Sequence, residues 1–267
     1  MKQLKFIAEI GWNHMGDLDL AKKMITAAKD NGAQYVKTQI FDVSQLKDGP
    51  WMTDGRKEIY TKAQLTDEKF EELLNFSKKE SINFFTSVFT LDGAKRVLKL
   101  QNDIIKIPSM ESRNFELIDF CNKNFKKILI STGTSTAEEM STLKNKLKIK
   151  NYAFLHCVSA YPCKPSISNL ERINFIKSLS DEYGFSDHTP GIEISKISLE
   201  YNIDYLEKHF TIDQNLPGRD NKFAILPQDL KKFSDYIKLR EAAKNFLGND
   251  YLPEEKEARD TYTGRWG

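Results

Sequence analysis

Near its start the chain reads KFIAEIG at residues 5–11 and then LDLAKKMITAAKDN at residues 18–31. The first run is short and mainly apolar, as in a buried β-strand, and the second has its apolar side chains at the spacing of an amphipathic helix. Gly32 follows as a typical helix C-terminal stop. This part of the sequence therefore predicts a strand followed by a helix.

The same strand–helix pattern recurs along the chain until eight copies are counted. The later strands are predicted at residues 34–41, 83–89, 104–110, 127–133, 152–161, 183–188 and 205–210, and the later helices at 66–80, 91–101, 114–123, 136–147, 169–180, 191–201 and about 227–246. Without a Gly-, Ser- or Pro-rich linker between them, eight such units predict a single-domain α/β fold, the (β/α)8 TIM barrel, over residues 1–250, with residues 251–267 as a C-terminal tail. A doubly wound sheet is the alternative, but EIGWNHMG lacks the GxGxxG phosphate turn typical of that fold.

Composition excludes several classes of protein. The 267 residues include 40 Lys and Arg against 38 Asp and Glu, a formal net charge of +2, and no basic run stands apart from acids. This argues against a nucleic-acid or membrane-surface binder. No apolar stretch approaches the roughly 20 residues that span a bilayer and no signal-peptide core precedes the first strand, so a cytoplasmic location is predicted. Cys121, Cys157 and Cys163 form no CxxC pair, which argues against a disulfide framework or a structural zinc site.

The ends of the predicted strands hold the candidate functional residues, because the βα loops of a TIM barrel converge on one mouth. All four histidines of the chain fall at strand ends, which chance rarely arranges: His14, His156, His188 and His209. His188 and His209 follow neighbouring strands and are predicted to hold one divalent metal from two sides. The alternative for each is an ordinary buried histidine with satisfied hydrogen bonds.

Three lysines, Lys37, Lys106 and Lys208, interrupt otherwise apolar strands. A buried ammonium group without a partner costs several kcal/mol, so each is predicted to face a carboxylate or a bound anion at the mouth. Pairing with core carboxylates is the alternative, and Glu9 is one such partner for Lys37 or Lys208. Cations beside hydroxyl donors suit a phosphate or carboxylate ligand. The hydroxyl donors at these strand ends are Ser87, Ser109, Ser131 and Ser186.

Two further residues at the end of the sixth strand have ordinary structural interpretations. Cys157 is interpreted as a packing residue, because no neighbour in the sequence suggests activation of its thiol. Tyr161 precedes Pro162 and is either a strand terminator or a contact to a ligand.

Successive strand ends carry motifs that resemble those of the sialic acid synthase family. In order along the chain they are FIAEIGWNHMGD, YVKTQIF, IIKIPSMES, ILISTGTS, LHCVSAYP, GFSDHTPG, and YLEKHFT followed by PGRD. The resemblance runs from about residue 5 to residue 246. It implies a TIM-barrel enzyme that condenses phosphoenolpyruvate with N-acetylmannosamine or a related amino sugar. The family includes legionaminate and pseudaminate synthases and spore-coat polysaccharide proteins.

The resemblance also implies a role for each matching residue. His188 and His209 become ligands of Mn²⁺ or Mg²⁺, with Asp220 near the metal-bound water. The positions that hold the phosphate and carboxylate of phosphoenolpyruvate are Lys37, Ser87, Lys106, Ser109, Ser131 and Ser186. Catalytic or sugar-contacting positions are Glu9, Gln39, Glu111 and Tyr161.

The implied reaction joins C3 of phosphoenolpyruvate to the aldehyde carbon of an open-chain sugar. The metal polarises the aldehyde, water adds at C2, and phosphate leaves by C–O cleavage, which gives a 3-deoxy 2-keto sugar acid. Glu9 is implied as the carboxylate that transfers a proton or stabilises the oxocarbenium ion. The lysines offset anionic charge in the transition state.

Two departures from the family pattern affect the acceptor sugar. Ser159 stands where the family commonly has Asn, and the chain ends at Gly267, where family members continue into an antifreeze-like domain that caps the partner subunit's active site. The sequence is therefore expected to be the catalytic barrel without its cap, with a homodimer and a separate capping protein both left open as partners. The alternatives to the synthase are a metal-dependent aldolase on the same barrel and a synthase-derived subunit that needs such a capping partner.

Overall fold

A computed structural model describes residues 4–149 and 151–266. Its eight parallel strands form a closed barrel in chain order. The strands are β1 (Lys5–Gly11), β2 (Tyr35–Ile40), β3 (Asn83–Val88), β4 (Ile104–Ile107), β5 (Lys127–Ser131), β6 (Tyr152–Cys157), β7 (Glu182–Asp187) and β8 (Tyr205–His209). The predicted single-domain TIM barrel is confirmed.

Helices alternate with the strands and surround the barrel. They are α1 (Leu18–Asp30), α2 (Arg56–Ala63), α3 (Asp67–Lys79), α4 (Leu91–Leu98), α5 (Phe115–Asn124), α6 (Ala137–Lys146), α7 (Arg172–Lys177), α8 (Glu193–Ser198), α9 (Pro227–Ala243) and α10 (Lys256–Tyr262). Several begin at a side-chain cap that the sequence shows. Thr66 accepts from the Lys69 N–H, and Thr136 forms a reciprocal capping box with Glu139. In the described part of the chain, no helix combines the length and apolar character that crossing a membrane requires.

The strands present alternate side chains to two different surroundings. Outward side chains such as Phe6, Val36 and Phe154 pack against the helices. Inward side chains such as Ile7 and Phe85 fill the middle of the barrel. Toward the carboxyl ends of the strands the inward positions become charged or polar. The register pairs Glu9 with Lys37 on one side and with His209 on the other.

Some element boundaries differ from the predicted ones. β4 ends at Ile107, short of the predicted residue 110, because Pro108 has no N–H to donate and residues 109–111 form a 3₁₀ turn. α7 is shorter than the predicted 169–180. α2 was not predicted, since its few apolar side chains give only a weak helical period. α10 lies inside residues 251–267, and the boundary at residue 250 stays a prediction.

An ion-pair cluster closes the opposite end of the barrel from the histidines. The carboxylate of Glu182 accepts from Lys5 Nζ at 3.0 Å and also pairs with Lys127. Tyr205 donates to the same carboxylate at 3.3 Å. Burial raises the pKa of Glu182, but the two ammonium groups outweigh burial and lower it to about 2.

We expect Glu182→Gln to lower the free energy of unfolding by about 1–3 kcal/mol at neutral pH, because it removes charge-assisted hydrogen bonds. The pKa of Glu182 is lower in the folded state than in the unfolded chain, where it is about 4.3. The stabilisation is therefore fully present at pH values above the unfolded pKa. It is lost as pH falls toward 2. Urea unfolding of both proteins at several pH values measures the difference. A difference that stays constant down to pH 2 would contradict the assignment.

The matched control is Asp103→Asn. Asp103 pairs with Lys126 at 2.6 Å, but both side chains are about 70% exposed. An exposed pair of this kind contributes about 1 kcal/mol or less, so the control is expected to change stability little.

Candidate active site

A pocket opens at the carboxyl ends of the strands, where the sequence places the functional residues. It is lined by eleven of the thirteen predicted site residues: Glu9, Lys37, Gln39, Ser87, Lys106, Ser109, Ser131, Tyr161, Ser186, His188 and His209. Pro108, Cys157 and Glu207 complete the lining. Side chains at the ends of strands from around the barrel therefore meet in one pocket. The roles given to these residues stay predictions.

Two lysines and two carboxylates form a charged layer at the floor of the pocket. Lys37 Nζ lies 2.6 Å from Glu9 Oε2, and Lys106 Nζ lies 2.6 Å from Glu207 Oε2. Lys37 is also 3.9 Å from Glu207 Oε1, so the four groups are linked. All four side chains are at most 8% exposed. The sequence left two interpretations of the strand lysines open: that they face the mouth, or that they pair with buried carboxylates. For Lys37 and Lys106 both hold, because each faces the pocket and each has a carboxylate partner.

The two carboxylates of this layer have pKa values shifted in opposite directions. Burial raises the pKa of Glu9, Lys37 opposes that shift without cancelling it, and the charge of Glu207 raises it further. Burial also acts to raise the pKa of Glu207, but Lys106 and Lys37 outweigh it and hold it well below its usual range. Two neighbouring carboxylates whose pKa values are shifted in opposite directions supply one group that stays ionised and one that can exchange a proton.

Hydroxyl groups surround the charged layer. Some of them form hydrogen bonds within the protein and one does not. Ser87 accepts from Lys37 at 2.7 Å, and Ser186 donates to Glu207 at 3.0 Å. Ser109 accepts from the Gly133 N–H at 3.1 Å. The buried Ser131 hydroxyl has no hydrogen-bond partner among residues 4–149 and 151–266. It is therefore free to bind a ligand in the pocket.

His188 and His209 stand side by side at the rim, with ring centroids 5.4 Å apart. His188 Nδ1 lies 3.0 Å from the Val158 carbonyl, and Nε2 makes no hydrogen bond to any residue that the structure describes. His209 Nδ1 is buried without a hydrogen-bond partner in the described part of the chain. Burial and the neighbouring His188 lower the pKa of His209 well below its usual value, which keeps a nitrogen lone pair available.

Two free imidazole nitrogens fit an open metal site in which water and substrate complete the coordination. The described residues contain no group of three or more His, Cys, Asp or Glu side chains arranged to hold a metal ion. His188 and His209 stay the predicted ligands of such a metal.

Tyr161 covers the histidine pair. Its ring centroid lies 4.2 Å from that of His188 and 6.2 Å from that of His209. Phe223 packs on His209 at 5.0 Å. Burial raises the pKa of the Tyr161 phenol, so it stays protonated and can donate a hydrogen bond.

Two predicted site residues lie outside the lining of the pocket. Glu111 belongs to a 3₁₀ turn, and its Oε2 accepts from the Asn114 side chain at 2.9 Å. Asp220 Oδ2 lies 3.8 Å from His209 Nδ1, and burial raises the pKa of Asp220 to about 6. Asp220 thus borders the histidine pair, whereas the carboxylate of Glu111 pairs with Asn114 and does not line the pocket.

The predicted placement of Lys208 at the mouth is wrong. Lys208 Nζ pairs with Asp187 at 2.8 Å and donates to the Thr189 carbonyl at 2.7 Å, on the outer face of the barrel. The reason is the alternation of a strand: Glu207 and His209 point inward, so the residue between them points outward. The same alternation turns His156 outward, where its ring stacks on Phe185 at 5.4 Å.

Two pocket residues were missing from the predicted set. Glu207 could have been found from its position two residues before His209, on the same side of β8. Cys157 was interpreted as packing, but it is the register partner of the inward-facing Ser186 and its Sγ lies 3.7 Å from His188 Nδ1.

Comparison with known proteins gives consistent results. The NeuB family matches residues 24–249. The N,N'-diacetyllegionaminic acid synthase of Campylobacter jejuni is 34% identical over 255 residues, which cover 89% of this chain and 76% of that protein. The mouse N-acetylneuraminate-9-phosphate synthase is 28% identical, over 93% of this chain and 73% of that protein.

Solved structures show the same architecture. The N-acetylneuraminic acid (sialic acid) synthetase of Leptospira borgpetersenii, in complex with citrate, superposes with a TM-score of 0.83 at 27% identity, over 98% of this chain and 92% of that one. A truncated 3-deoxy-D-arabino-heptulosonate 7-phosphate synthase of Thermotoga maritima superposes with a TM-score of 0.70 at 14% identity, over 90% and 87% of the two chains. The second likeness concerns the fold alone.

Proposed function

The chain belongs to the NeuB family, and from this premise we propose that it condenses phosphoenolpyruvate with an amino sugar or a related aldose. The products are a 3-deoxy 2-keto sugar acid, of the nonulosonate type, and phosphate. The supporting observation is the charged layer of Lys37, Lys106, Glu9 and Glu207 beneath the histidine pair. This layer places ammonium and hydroxyl groups, which can bind a small dianion or trianion, directly beside the candidate metal site.

Lys37 and Lys106 bind the phosphate and carboxylate of phosphoenolpyruvate, together with the serine hydroxyls. Each ammonium group already has a carboxylate partner, so its charge is held in place before substrate arrives, and little reorganisation is needed during reaction. Ser131, which lacks a hydrogen-bond partner among the described residues, adds a hydroxyl that a bound ligand can satisfy.

Glu9 is the group suited to move a proton. Burial raises its pKa, which makes the carboxylate a stronger base than an ordinary glutamate and therefore a better proton acceptor. It accepts the proton that water loses on adding to C2. Gln39 donates to Glu9 Oε1 at 2.7 Å and orients the carboxylate. Tyr161 and Asp220 border the aldehyde side, where Tyr161 donates a hydrogen bond.

His188 and His209 would hold a divalent metal, Mn²⁺ or Mg²⁺. When bound, such an ion supplies Lewis-acid polarisation of the sugar aldehyde.

A phosphate-release assay tests the proposal. We expect phosphate only when phosphoenolpyruvate, a divalent metal and an acceptor are all present, with the acceptor chosen from a panel of N-acyl hexosamines, diacetamido sugars and pentoses. Phosphoenolpyruvate labelled with ¹⁸O in the bridging position is expected to give labelled phosphate, because the C–O bond breaks. Phosphate release that needs no acceptor, or cleavage of a sugar acid without phosphoenolpyruvate, would contradict the synthase and indicate hydrolysis or an aldolase.

A further inference from the structure

Behind the histidine pair, on the outer face of the barrel, lies a buried ion pair that the proposed reaction does not use. Asp187 and Lys208 are register partners on β7 and β8, and Lys208 Nζ lies 2.8 Å from Asp187 Oδ2. Both side chains are buried. In each strand the next residue along the chain is a member of the histidine pair, which lines the pocket. The ion pair therefore stands directly behind the candidate metal site.

The Asp187 carboxylate accepts hydrogen bonds at both of its oxygens. Oδ1 accepts from the Thr189 N–H at 2.8 Å and from the Thr189 hydroxyl at 2.7 Å. Oδ2 accepts from the Ser195 hydroxyl on α8 at 2.5 Å, in addition to the ammonium group of Lys208. A bond from a side-chain oxygen to the backbone N–H two residues later is an Asx turn. The residue enclosed by this turn is His188.

Thr189 is also bound from β8, since Lys208 Nζ donates to its carbonyl at 2.7 Å. The N–H, the hydroxyl and the carbonyl of Thr189 are thus all bound by two charged side chains. We call four residues the outer clamp: Asp187, Thr189, Ser195 and Lys208. The outer clamp holds the backbone on both sides of His188 and ties it to the strand that carries His209.

Two backbone contacts complete the placement of His188. Its Nδ1 lies 3.0 Å from the Val158 carbonyl, and its own carbonyl accepts from the Cys163 N–H at 2.9 Å. Because a carbonyl only accepts, Nδ1 of the neutral ring carries the proton and Nε2 carries the lone pair for a metal. The position of that lone pair depends on the backbone of residues 187–189, which the outer clamp holds.

The row of side chains below the ion pair shows what it replaces. Two residues earlier on the same strands, Phe185 and Leu206 are register partners, and both pack in the apolar core between barrel and helices. A buried ion pair is a poor source of stability, because removing two charges from water offsets most of their attraction. Its charge-assisted hydrogen bonds are directional, however, so they fix one geometry where an apolar pair would not.

We propose that the outer clamp positions the metal ligands: it fixes His188 relative to His209 and thereby sets the affinity of the pair for a divalent metal. Asp187 and Lys208 are positioning residues, which act through the two histidines. This inference rests on the metal site of the proposed function and names the residues that orient it.

Calorimetric titration with Mn²⁺ tests the outer clamp without turnover. The main variant is Asp187→Asn with Lys208→Met, which removes the ion pair and leaves neither charge buried alone. Its affinity for Mn²⁺ is expected to fall about tenfold, the lower end of the effect of groups that orient a metal ligand. Ser195→Ala removes one hydrogen bond to Asp187 and is expected to cause a smaller loss in the same direction. Native affinity in the double variant, or in Ser195→Ala should the double variant not fold, would overturn the proposal.

Glu182→Gln is the matched control, because it also disrupts an ion-pair cluster, at the opposite end of the barrel. It is expected to lower stability and to leave the affinity for Mn²⁺ unchanged. An equal loss of affinity in this control would mean that any loosening of the barrel weakens the metal site, and the outer clamp would then have no special role.

Phosphate-release kinetics at increasing Mn²⁺ concentrations separate positioning from a merely structural role. In the double variant the Mn²⁺ concentration for half-maximal activity is expected to rise about tenfold. Saturating Mn²⁺ is expected to restore most of kcat, with the KM for phosphoenolpyruvate unchanged. A kcat that stays low at saturating Mn²⁺ while the calorimetric affinity is native would overturn the proposal.

The two measurements also separate this inference from the proposed function. Phosphate release by the native protein, with an affinity for Mn²⁺ that the double variant does not change, would reject the outer clamp and keep the synthase. Mn²⁺ binding that weakens in the double variant, without phosphate release from any acceptor, would reject the synthase and keep the outer clamp. If the native protein bound no Mn²⁺, both the metal site and the outer clamp would be rejected.

Discussion

Replacing His209 with alanine is expected to lower kcat about a thousandfold or more while the barrel stays folded. His209 provides one of the two imidazole groups at the proposed metal site, and among the described residues its Nδ1 has no hydrogen-bond partner. Lewis-acid activation of a carbonyl is worth several kcal/mol, and each 1.36 kcal/mol corresponds to a factor of ten in rate. With one ligand gone, the remaining His188 holds the ion too weakly to supply that activation.

Calorimetric titration with Mn²⁺ measures the metal site independently of turnover. Changes to groups that only support a ligand cost about 10–100-fold in affinity, so loss of a ligand is expected to cost at least that much. His156→Ala is the matched control. It removes a buried histidine that stacks on Phe185 outside the pocket, so it is expected to lower stability and leave Mn²⁺ affinity unchanged. If His209→Ala binds Mn²⁺ as tightly as the native protein, the metal site lies elsewhere.

The fold was predictable because the barrel repeats one strong local signal eight times. Each strand is an apolar run buried between the barrel interior and the helices, and several helices begin at a Thr or Asn whose capping role is visible in the sequence. The missed parts have weaker signals. α2 has few apolar side chains, and α10 has no buried residue, so neither shows a clear amphipathic period.

Most residues that line the candidate pocket were predictable from the strand ends, whereas the ion pairs among them were not. Strand ends identify which residues reach the mouth, and alternation within a strand decides which of them face it. Applied to β8, that rule separates the inward Glu207 and His209 from the outward Lys208. The partner of each buried lysine depends on strands far apart in sequence, such as β4 with β8, and only the closed barrel shows which carboxylate lies at 2.6 Å.

The ion pair between Lys106 and Glu207 is expected to show a large coupling energy. Lys106→Met leaves a buried carboxylate without its main partner, and Glu207→Gln leaves a buried ammonium group in the same position. Removing one member of such a pair costs about 3–5 kcal/mol. The double variant, Lys106→Met with Glu207→Gln, buries neither charge alone. It is therefore expected to be more stable than the sum of the single changes predicts, by at least about 2 kcal/mol.

Chemical denaturation of the four proteins gives the coupling energy, and phosphate-release kinetics show whether the pair also serves substrate. Because the cations of the floor bind phosphoenolpyruvate in the proposed reaction, the double variant is expected to recover stability but not activity, with kcat/KM for phosphoenolpyruvate still lower by about 100-fold or more. Lys208→Met is the matched control, since Lys208 pairs with Asp187 in an equally buried position outside the pocket. It is expected to destabilise the fold to a similar extent with the KM for phosphoenolpyruvate unchanged. Additive single changes would mean that Lys106 and Glu207 do not act as a pair, and full recovery of activity in the double variant would mean that the pair holds the barrel together without binding substrate.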